Sequence, residues 1–353
     1  MRFAVIGCGV IGKHHARTIA GLAEAELAAV VDVIPERADE LGAKHGVPAL
    51  YSVEEALQRS DIDAVAVCTP SGNHAGPAVD ALRAGKHVVI EKPLDVTPDA
   101  VAAVAKEAAV AGRVVTVISQ HRFDAAAQIA HAAVQDGKFG VLTSGSADIA
   151  WWRSQGYYDS GDWRGTWALD GGGVLMNQGI HSIDILVWLL GQPTEVFAWT
   201  GTLAHERIEV EDTAVATIRF SSGALGVIRG TTAAYPGLTA RIQVHGDHGS
   251  AVIDDDQLAY FHASDGSTDA PAYGGGAGDN QAAQVLPTQA GGTAGGDPSA
   301  LSDAHTTQYR DFLSAIADGR QPLVTIEENT RTLEVIWAIY ESAKLGRPVA
   351  VGT

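Results

Sequence analysis

The run Gly7-Cys8-Gly9-Val10-Ile11-Gly12 constrains this chain more than any other, because of what flanks it. Phe3–Ile6 before it is a short apolar run of strand length, and the residues after it read as a helix. Glycines at this spacing allow a tight turn, let backbone approach a pyrophosphate, and let the helix pack closely on the strand. Asp32 ends a second apolar run, Leu27–Asp32, at the distance where a carboxylate receives ribose hydroxyls. A glycine turn without ligand and a turn or helix-cap aspartate are the bland alternatives. The strand, turn, helix and acid together favour a bound dinucleotide, with Val10 and Ile11 opening the helix onto its phosphates. A carboxylate at Asp32 repels a 2′-phosphate, so NAD is favoured over NADP, a preference that Arg37 a few residues on softens.

Further buried strands are expected at Ala64–Cys68, His87–Ile90 and Val114–Ser119, with helices between them. Ser52 and Glu55 form a capping box for one of those helices. Strands without polar alternation, separated by helices, imply a parallel sheet covered on both faces. The pattern changes near residue 120. One helix follows at about 173–190, with alternating strands at 144–151, 195–201, 213–220, 225–232, 240–245 and 250–254. The turns at 220–224 and 245–249 carry hairpin residues.

The fold class is therefore an α/β N-terminal Rossmann domain, residues 1–120, plus an α+β C-terminal domain, residues 121–353. The second has a mostly antiparallel open sheet with helices on one face, and it is assigned substrate binding and oligomerisation. Residues from about 263 to 300 are rich in Gly, Ala and Asp without periodicity and read as a mobile excursion. A last helix runs from a Thr325 cap, closed by Glu328, to Gly346. Its stripe of Leu333, Ile336, Trp337 and Tyr340 must dock, and it is expected to pack back toward the first domain.

A net charge of -18, from 42 acidic against 24 basic residues, disfavours nucleic acid and anionic membrane surfaces as partners. Cys8 and Cys68 form no disulfide framework, and no zinc spacing exists, so no metal is expected. With no signal peptide and no spanning apolar run, the cytoplasm is the expected compartment.

Three stretches carry candidate chemistry. Thr69-Pro70-Ser71-Gly72-Asn73-His74 follows a core strand at the carboxyl edge, where it is either cofactor wall or ordinary turn. Glu91-Lys92-Pro93 ends the next strand. A lysine there is either salt-bridged or held to orient a hydroxyl and stabilise charge on its oxygen. In the run Gly171 to Asp184, Asn177, His181 and Asp184 are spaced to share one helix face. Imidazole suits the acceptance of a hydroxyl proton near neutral pH, although a lone helical histidine is usually structural.

With these residues in hand, the sequence resembles the Gfo/Idh/MocA oxidoreductases, such as glucose–fructose oxidoreductase and inositol dehydrogenase, over essentially the whole chain. The glycine turn, Glu91-Lys92-Pro93 and the Gly171-to-Asp184 run carry the likeness, with His305-Thr-Thr-Gln-Tyr309-Arg-Asp-Phe312 and Val335–Pro348. The resemblance implies that Lys92 contacts the reacting hydroxyl and that His181 is the acid/base. Many members carry Asp four residues before that histidine, where this chain has Asn177. An amide cannot relay a proton, so Asn177 is expected to orient substrate.

By the same likeness, the cofactor set comprises Gly7, Gly9, Val10, Ile11, Gly12, Asp32, Arg37, Thr69, Pro70, Asn73, His74, Glu91, Lys92 and Gln120. Trp163 and Arg164 join it at the nicotinamide end. The substrate set comprises Lys92, Arg122, Arg153, Tyr157, Asn177, His181 and His305, and the Lys92-Pro93 bond is expected to be cis. The segment from Trp151 to Trp167 is similar to a bacterial branch of UDP-N-acetylglucosamine-type and uronate 3-dehydrogenases.

The expected reaction is reversible, NAD-dependent oxidation of a secondary alcohol on a sugar, nucleotide sugar or cyclitol, by a homodimer or homotetramer. An NAD-dependent glycosidase using transient oxidation, and a non-catalytic sugar- or NAD-responsive regulator, are the alternatives.

Overall fold

Two sheets, one wholly parallel and one mostly antiparallel, follow from two different burial patterns along the chain. The computed structural model describes residues 1–264, 279–288 and 304–352. They fall into two units: Met1–Gln120 with Asp162–Gly171 and Leu301–Thr330, and His121–Gly161 with Gly172–Ala300 and Arg331–Thr353.

The first unit holds strands β1 (Arg2–Ile6), β2 (Glu26–Val31), β3 (Ala49–Leu50), β4 (Ala64–Val67), β5 (His87–Ile90) and β6 (Val115–Val117). They pair in parallel in the order β3-β2-β1-β4-β5-β6. Residues such as Phe3, Val5, Val65 and Val89 are buried whichever face they point to, as a sheet covered on both sides requires. The strand order reverses at β1, between β2 and β4, which is where ligands of such sheets bind at the carboxyl edge. Ser52 caps helix Val53–Leu57 by accepting from Glu55 N at 3.2 Å. β3, only two residues long, gave no signal in the sequence. Helix Ala304–Asp318 is tied to the sheet by Gln308, which accepts from Ser119 N at 3.1 Å and donates to Val117 O at 2.7 Å.

The second unit holds β7 (Leu142–Ala150), β8 (Pro193–Gly201), β9 (Thr213–Phe220), β10 (Leu225–Thr231), β11 (Ala240–Gly246), β12 (Gly249–Asp254), β13 (Gln257–Ala263) and β14 (Val349–Ala350). Their order is β13-β12-β11-β7-β10-β9-β8-β14, and every neighbouring pair is antiparallel except β7 with β10. Along β9, buried Ala214, Ala216, Ile218 and Phe220 alternate with outward residues. Helices Ala125–Gln135 and Ile180–Leu190 pack on this sheet, while Trp199, Val215, Leu225 and Val227 remain exposed.

Three expectations change here. The helix expected at about 173–190 is two elements, a π-helical turn at Val174–Gln178 and an α-helix at Ile180–Leu190. Strands β13 and β14 were not foreseen, because one turns directly out of Asp255-Asp256 and the other has two residues. Within the supposed mobile excursion, helix Ala282–Val285 is docked on β13, where Gln281 N donates to Phe261 O at 2.7 Å. The rest of that stretch, 265–278 and 289–300, lies outside the described residues.

The last helix, Ile326–Leu345, starts at the expected cap, with Glu328 N donating to Thr325 Oγ1 at 3.2 Å. Its residues to Thr330 belong to the first unit and the remainder to the second. In the second unit, Ser342 Oγ accepts from Ala198 N of β8 at 3.1 Å.

Candidate active site

In the first unit the glycine turn makes a cradle. Gly7 has φ +98°, and a Cβ there would lie 2.5 Å from Cys68 O, so only glycine fits. A Cβ on Gly12 would lie 1.8 Å from Gly7 O, the close helix–strand approach that the third glycine permits. At Gly9, by contrast, a Cβ meets nothing within 4 Å among the described residues. That open space faces a helix, Val10–Ala20, with no side-chain cap and no acid in its first turn. Free N–H groups beside open space fit a pyrophosphate.

Asp32, just past β2, is buried. Its Oδ2 accepts from Cys8 N at 2.8 Å and its Oδ1 from Ile34 N at 2.9 Å, which leaves lone pairs for ribose hydroxyls. Arg37 is exposed on helix Pro35–His45. Gln120 Oε1 is buried with no hydrogen-bond partner among the described residues, and an amide donor such as a nicotinamide carboxamide would satisfy it. The residues present fit a dinucleotide.

The Thr69–His74 loop and the Trp163–Asp170 segment are brought together in this unit. Gly72 N donates to Leu169 O at 3.0 Å, and a Cβ on Gly72 would lie 2.1 Å from Ala168 O. Arg164 lies 4.5 Å over the Trp163 ring, and Asp170 accepts from Gly165 N at 2.8 Å. Thr69 Oγ1 donates to Asn73 O at 2.9 Å, and Pro70 O accepts from Asn73 N at 2.8 Å. His74 is a brace: burial lowers its pKa, and its two ring nitrogens face Pro93 O at 2.6 Å and Thr69 O at 2.8 Å. It links this loop to the turn carrying Lys92, whose bond to Pro93 is cis.

Glu91, expected in the cofactor wall, is instead turned inward. Its Oε1 is 2.7 Å from His15 Nε2, and its Oε2 accepts from Lys92 N at 2.9 Å. His305, expected at the substrate, is buried in the same cluster with Nε2 3.9 Å from Glu91 Oε1. The clustering has one cause. A carboxylate in the interior collects the nearby imidazoles, because each polar contact offsets desolvation.

In the second unit the π-helical turn is closed by Gly179 N donating to Val174 O at 2.6 Å, five residues back. It adds a residue to the turn, so Asn177 and His181 do not sit on one regular helix face as their spacing suggested. The glycines before it permit close approach, since Cβ atoms would lie 1.8 Å from Glu211 O at Gly173 and 2.0 Å from the Tyr340 hydroxyl at Gly172. Glu211 lies beneath the turn. It accepts from Leu175 N at 2.9 Å, Gly173 N at 3.1 Å and the Tyr340 hydroxyl at 3.1 Å. Burial pushes its pKa up to about 7 against the pull of these donors.

His181 opens the following helix and stands edge-on to His121, with ring centroids 5.1 Å apart. His121 Nδ1 is shared between Asp124 Oδ2 at 2.7 Å and Asp256 Oδ1 at 3.1 Å. Burial opposes its charge, but these carboxylates raise its pKa to about 10. The four side chains line a pocket floored by Trp151, Ile185, Ile242 and Ile253.

Arg153 and Tyr157 are linked through Gln178, whose Oε1 accepts from Arg153 Nε at 3.0 Å and whose Nε2 donates to the Tyr157 hydroxyl at 2.8 Å. Arg122, expected at the substrate, is paired in the interior. It is fully buried, and Asp184 takes its guanidinium at 2.7 and 2.8 Å, with Thr332 donating to the same carboxylate at 2.8 Å. A buried guanidinium needs such a pair, so Asp184 is spent on it and leaves the face it was expected to share. His121, Gln178 and Glu211 escaped the sequence reading. The His121-x-x-Asp124 spacing was a usable signal, whereas Asp256 and Glu211 meet their partners only in the fold.

Residues 1–119 match the family model described as "Oxidoreductase family, NAD-binding Rossmann fold", and residues 127–252 match the "GFO/IDH/MocA C-terminal domain". Inositol 2-dehydrogenase of Rhizobium meliloti is 30% identical over 77% of this chain and 82% of its own length. Myo-inositol 2-dehydrogenase of Thermotoga maritima is 33% identical over 72% and 75%. Among solved structures, the WlbA dehydrogenase of Bordetella pertussis, in complex with NADH and UDP-GlcNAcA, superposes with a TM-score of 0.83. It is 31% identical, covering 100% of this chain and 99% of that one.

Proposed function

This chain belongs to the Gfo/Idh/MocA oxidoreductase family, and from that premise we propose that it is an NAD-dependent dehydrogenase of a secondary alcohol on a sugar, nucleotide sugar or cyclitol. The observation that carries this reading is the cradle: open space at Gly9, an uncapped helix start and Asp32 past β2, with Lys92 leaving the same carboxyl edge after β5. The cofactor, when bound, supplies the hydride acceptor. The Lys92 ammonium holds the reacting oxygen and stabilises the negative charge that grows on it. The His181 imidazole takes the hydroxyl proton. Asn177 orients the ring as hydrogen-bond donor and acceptor, and Arg153 with Tyr157 offers a guanidinium and a ring face to the rest of it.

Asp32 supports NAD over NADP. The exposed apolar residues of the second sheet, Trp199, Val215, Leu225 and Val227, support a homodimer or homotetramer joined through that face. Two buried free thiols, Cys8 and Cys68, support a reducing cytoplasmic setting, and among the described residues no helix is long and apolar enough to cross a membrane.

The test is absorbance at 340 nm with NAD or NADP and a panel of inositols, free sugars and nucleotide sugars. We expect NADH to accumulate with at least one polyol. Lys92→Ala should lower kcat by roughly 10²- to 10⁴-fold with NAD binding retained. Release of an alcohol leaving group without NADH would replace the reading with a glycosidase, and full turnover in Lys92→Ala would remove Lys92 from the mechanism.

A further inference from the structure

One buried cluster takes no part in the steps above. Its centre is Glu91, whose side chain is 5% exposed. A carboxylate only accepts, so His15 Nε2 must carry the proton of their 2.7 Å bond. His15 Nδ1 lies 2.6 Å from the Tyr309 hydroxyl. Burial raises the Tyr309 pKa well above its ordinary value, so that hydroxyl keeps its proton to donate. A hydrogen-bonded chain links Tyr309, His15 and Glu91, and the other Glu91 oxygen accepts the backbone N–H of Lys92 at 2.9 Å.

The groups facing Glu91 come from every element around it. His14 and His15 belong to helix Val10–Ala20, Cys68 follows β4, Lys92 follows β5, and His305 with Tyr309 stands on helix Ala304–Asp318. His74 lies on the side of the Lys92 turn. Burial works against the Glu91 anion, yet the His15 hydrogen bond, His305 and the Lys92 ammonium hold its carboxyl below the ordinary range. His14 supplies no charge, because burial and its neighbours His15 and Arg17 lower its pKa to about 4.

We propose that Glu91, oriented by His15 and Tyr309, is the positioning residue of Lys92: it fixes the peptide that carries the lysine and supplies a counter-charge to its ammonium. The inference rests on the reading of Lys92 given above and adds a device behind it. Coulombic favour is mutual, so the anion that the ammonium stabilises also disfavours loss of the ammonium proton. The same chain passes through His15, on the helix that starts at the glycine turn, so the dinucleotide cradle and the lysine share one buried anchor.

The experiment compares wild type, Glu91→Gln, Glu91→Asp and Tyr309→Phe with the polyol found by the panel. It measures kcat, KM, NAD dissociation by fluorescence, and the pH profile of kcat. Glu91→Gln should lower kcat about 100-fold with NAD affinity within about threefold, and move the alkaline limb down by about one pH unit. Glu91→Asp should recover part of the limb position. Tyr309→Phe should move it in the same direction by less, with a kcat loss of about three- to tenfold. An unchanged limb in Glu91→Gln overturns the proposal, whether kcat holds or falls in step with NAD binding. If Glu91→Gln does not fold, an unchanged limb in Tyr309→Phe overturns it. Full turnover in Lys92→Ala would instead sink the underlying reading, a result separable from either.

Discussion

Two buried carboxyls stand behind the two candidate chemical groups, and the two units treat them in opposite ways. Glu91, next to Lys92 in the first unit, is surrounded by imidazoles and an ammonium, which hold it ionised despite its burial. Glu211, beneath the π-helical turn that carries Asn177, is buried to the same degree, but its partners are two backbone N–H groups and a tyrosine hydroxyl. Dipoles alone do not offset the loss of water around a full charge, so its pKa rises to about 7. The contrast shows that depth of burial does not set the state of an interior acid. The supply of positive charge around it does.

The sharpest way to break this comparison is to delete the ionised member. Glu91→Leu leaves His15 Nε2 and Lys92 N without their acceptor in the interior, and should cost about 3–5 kcal/mol in urea unfolding. A loss below 1 kcal/mol would mean that Glu91 is not held as an anion.

The second test uses pH, because the two acids pull stability in opposite directions. The folded pKa of Glu211 lies above its ordinary 4.5, so its contribution is fully present below pH 4.5 and is lost as pH rises toward 7. The total is roughly 3 kcal/mol at 1.36 kcal/mol per unit. The folded pKa of Glu91 lies below the ordinary value, so its contribution is present above pH 4.5 and is lost as pH falls. Urea unfolding from pH 4 to 8 should therefore show a decline above pH 4.5 that is flattened in Glu211→Gln. An identical slope in that variant would contradict the assignment. The smallest effect is expected from Tyr340→Phe, which removes one donor to Glu211 and should cost about 1 kcal/mol above pH 7 and less below it.

Legibility in the sequence followed the range of the interactions. The strands of the parallel sheet, the glycine turn and the Ser52 and Thr325 caps were readable because each is marked by residues within a few positions of one another, and Asp32 because it ends the second of those strands. The alternation of β9 against the unbroken apolar run of β4 likewise separated the two kinds of sheet. The π-helical turn was not readable, because what stabilises it is Glu211, more than thirty residues further on. The interior partners of Arg122 and His305 were hidden for the same reason. Their residue types suit a polyol, yet Asp184 and Glu91 reach them first in the interior. A motif indicates which side chains a family uses; only the packing decides which of them is left facing a ligand.

The central claim is hydride transfer from a ring alcohol, and isotopic labelling reads it most directly. A polyol carrying deuterium at the carbinol carbon, incubated with NAD and the enzyme, should yield NADH with one deuterium at nicotinamide C4 by mass spectrometry and NMR. Unlabelled NADH from that same polyol, or substrate consumed with no reduced cofactor formed, would contradict it.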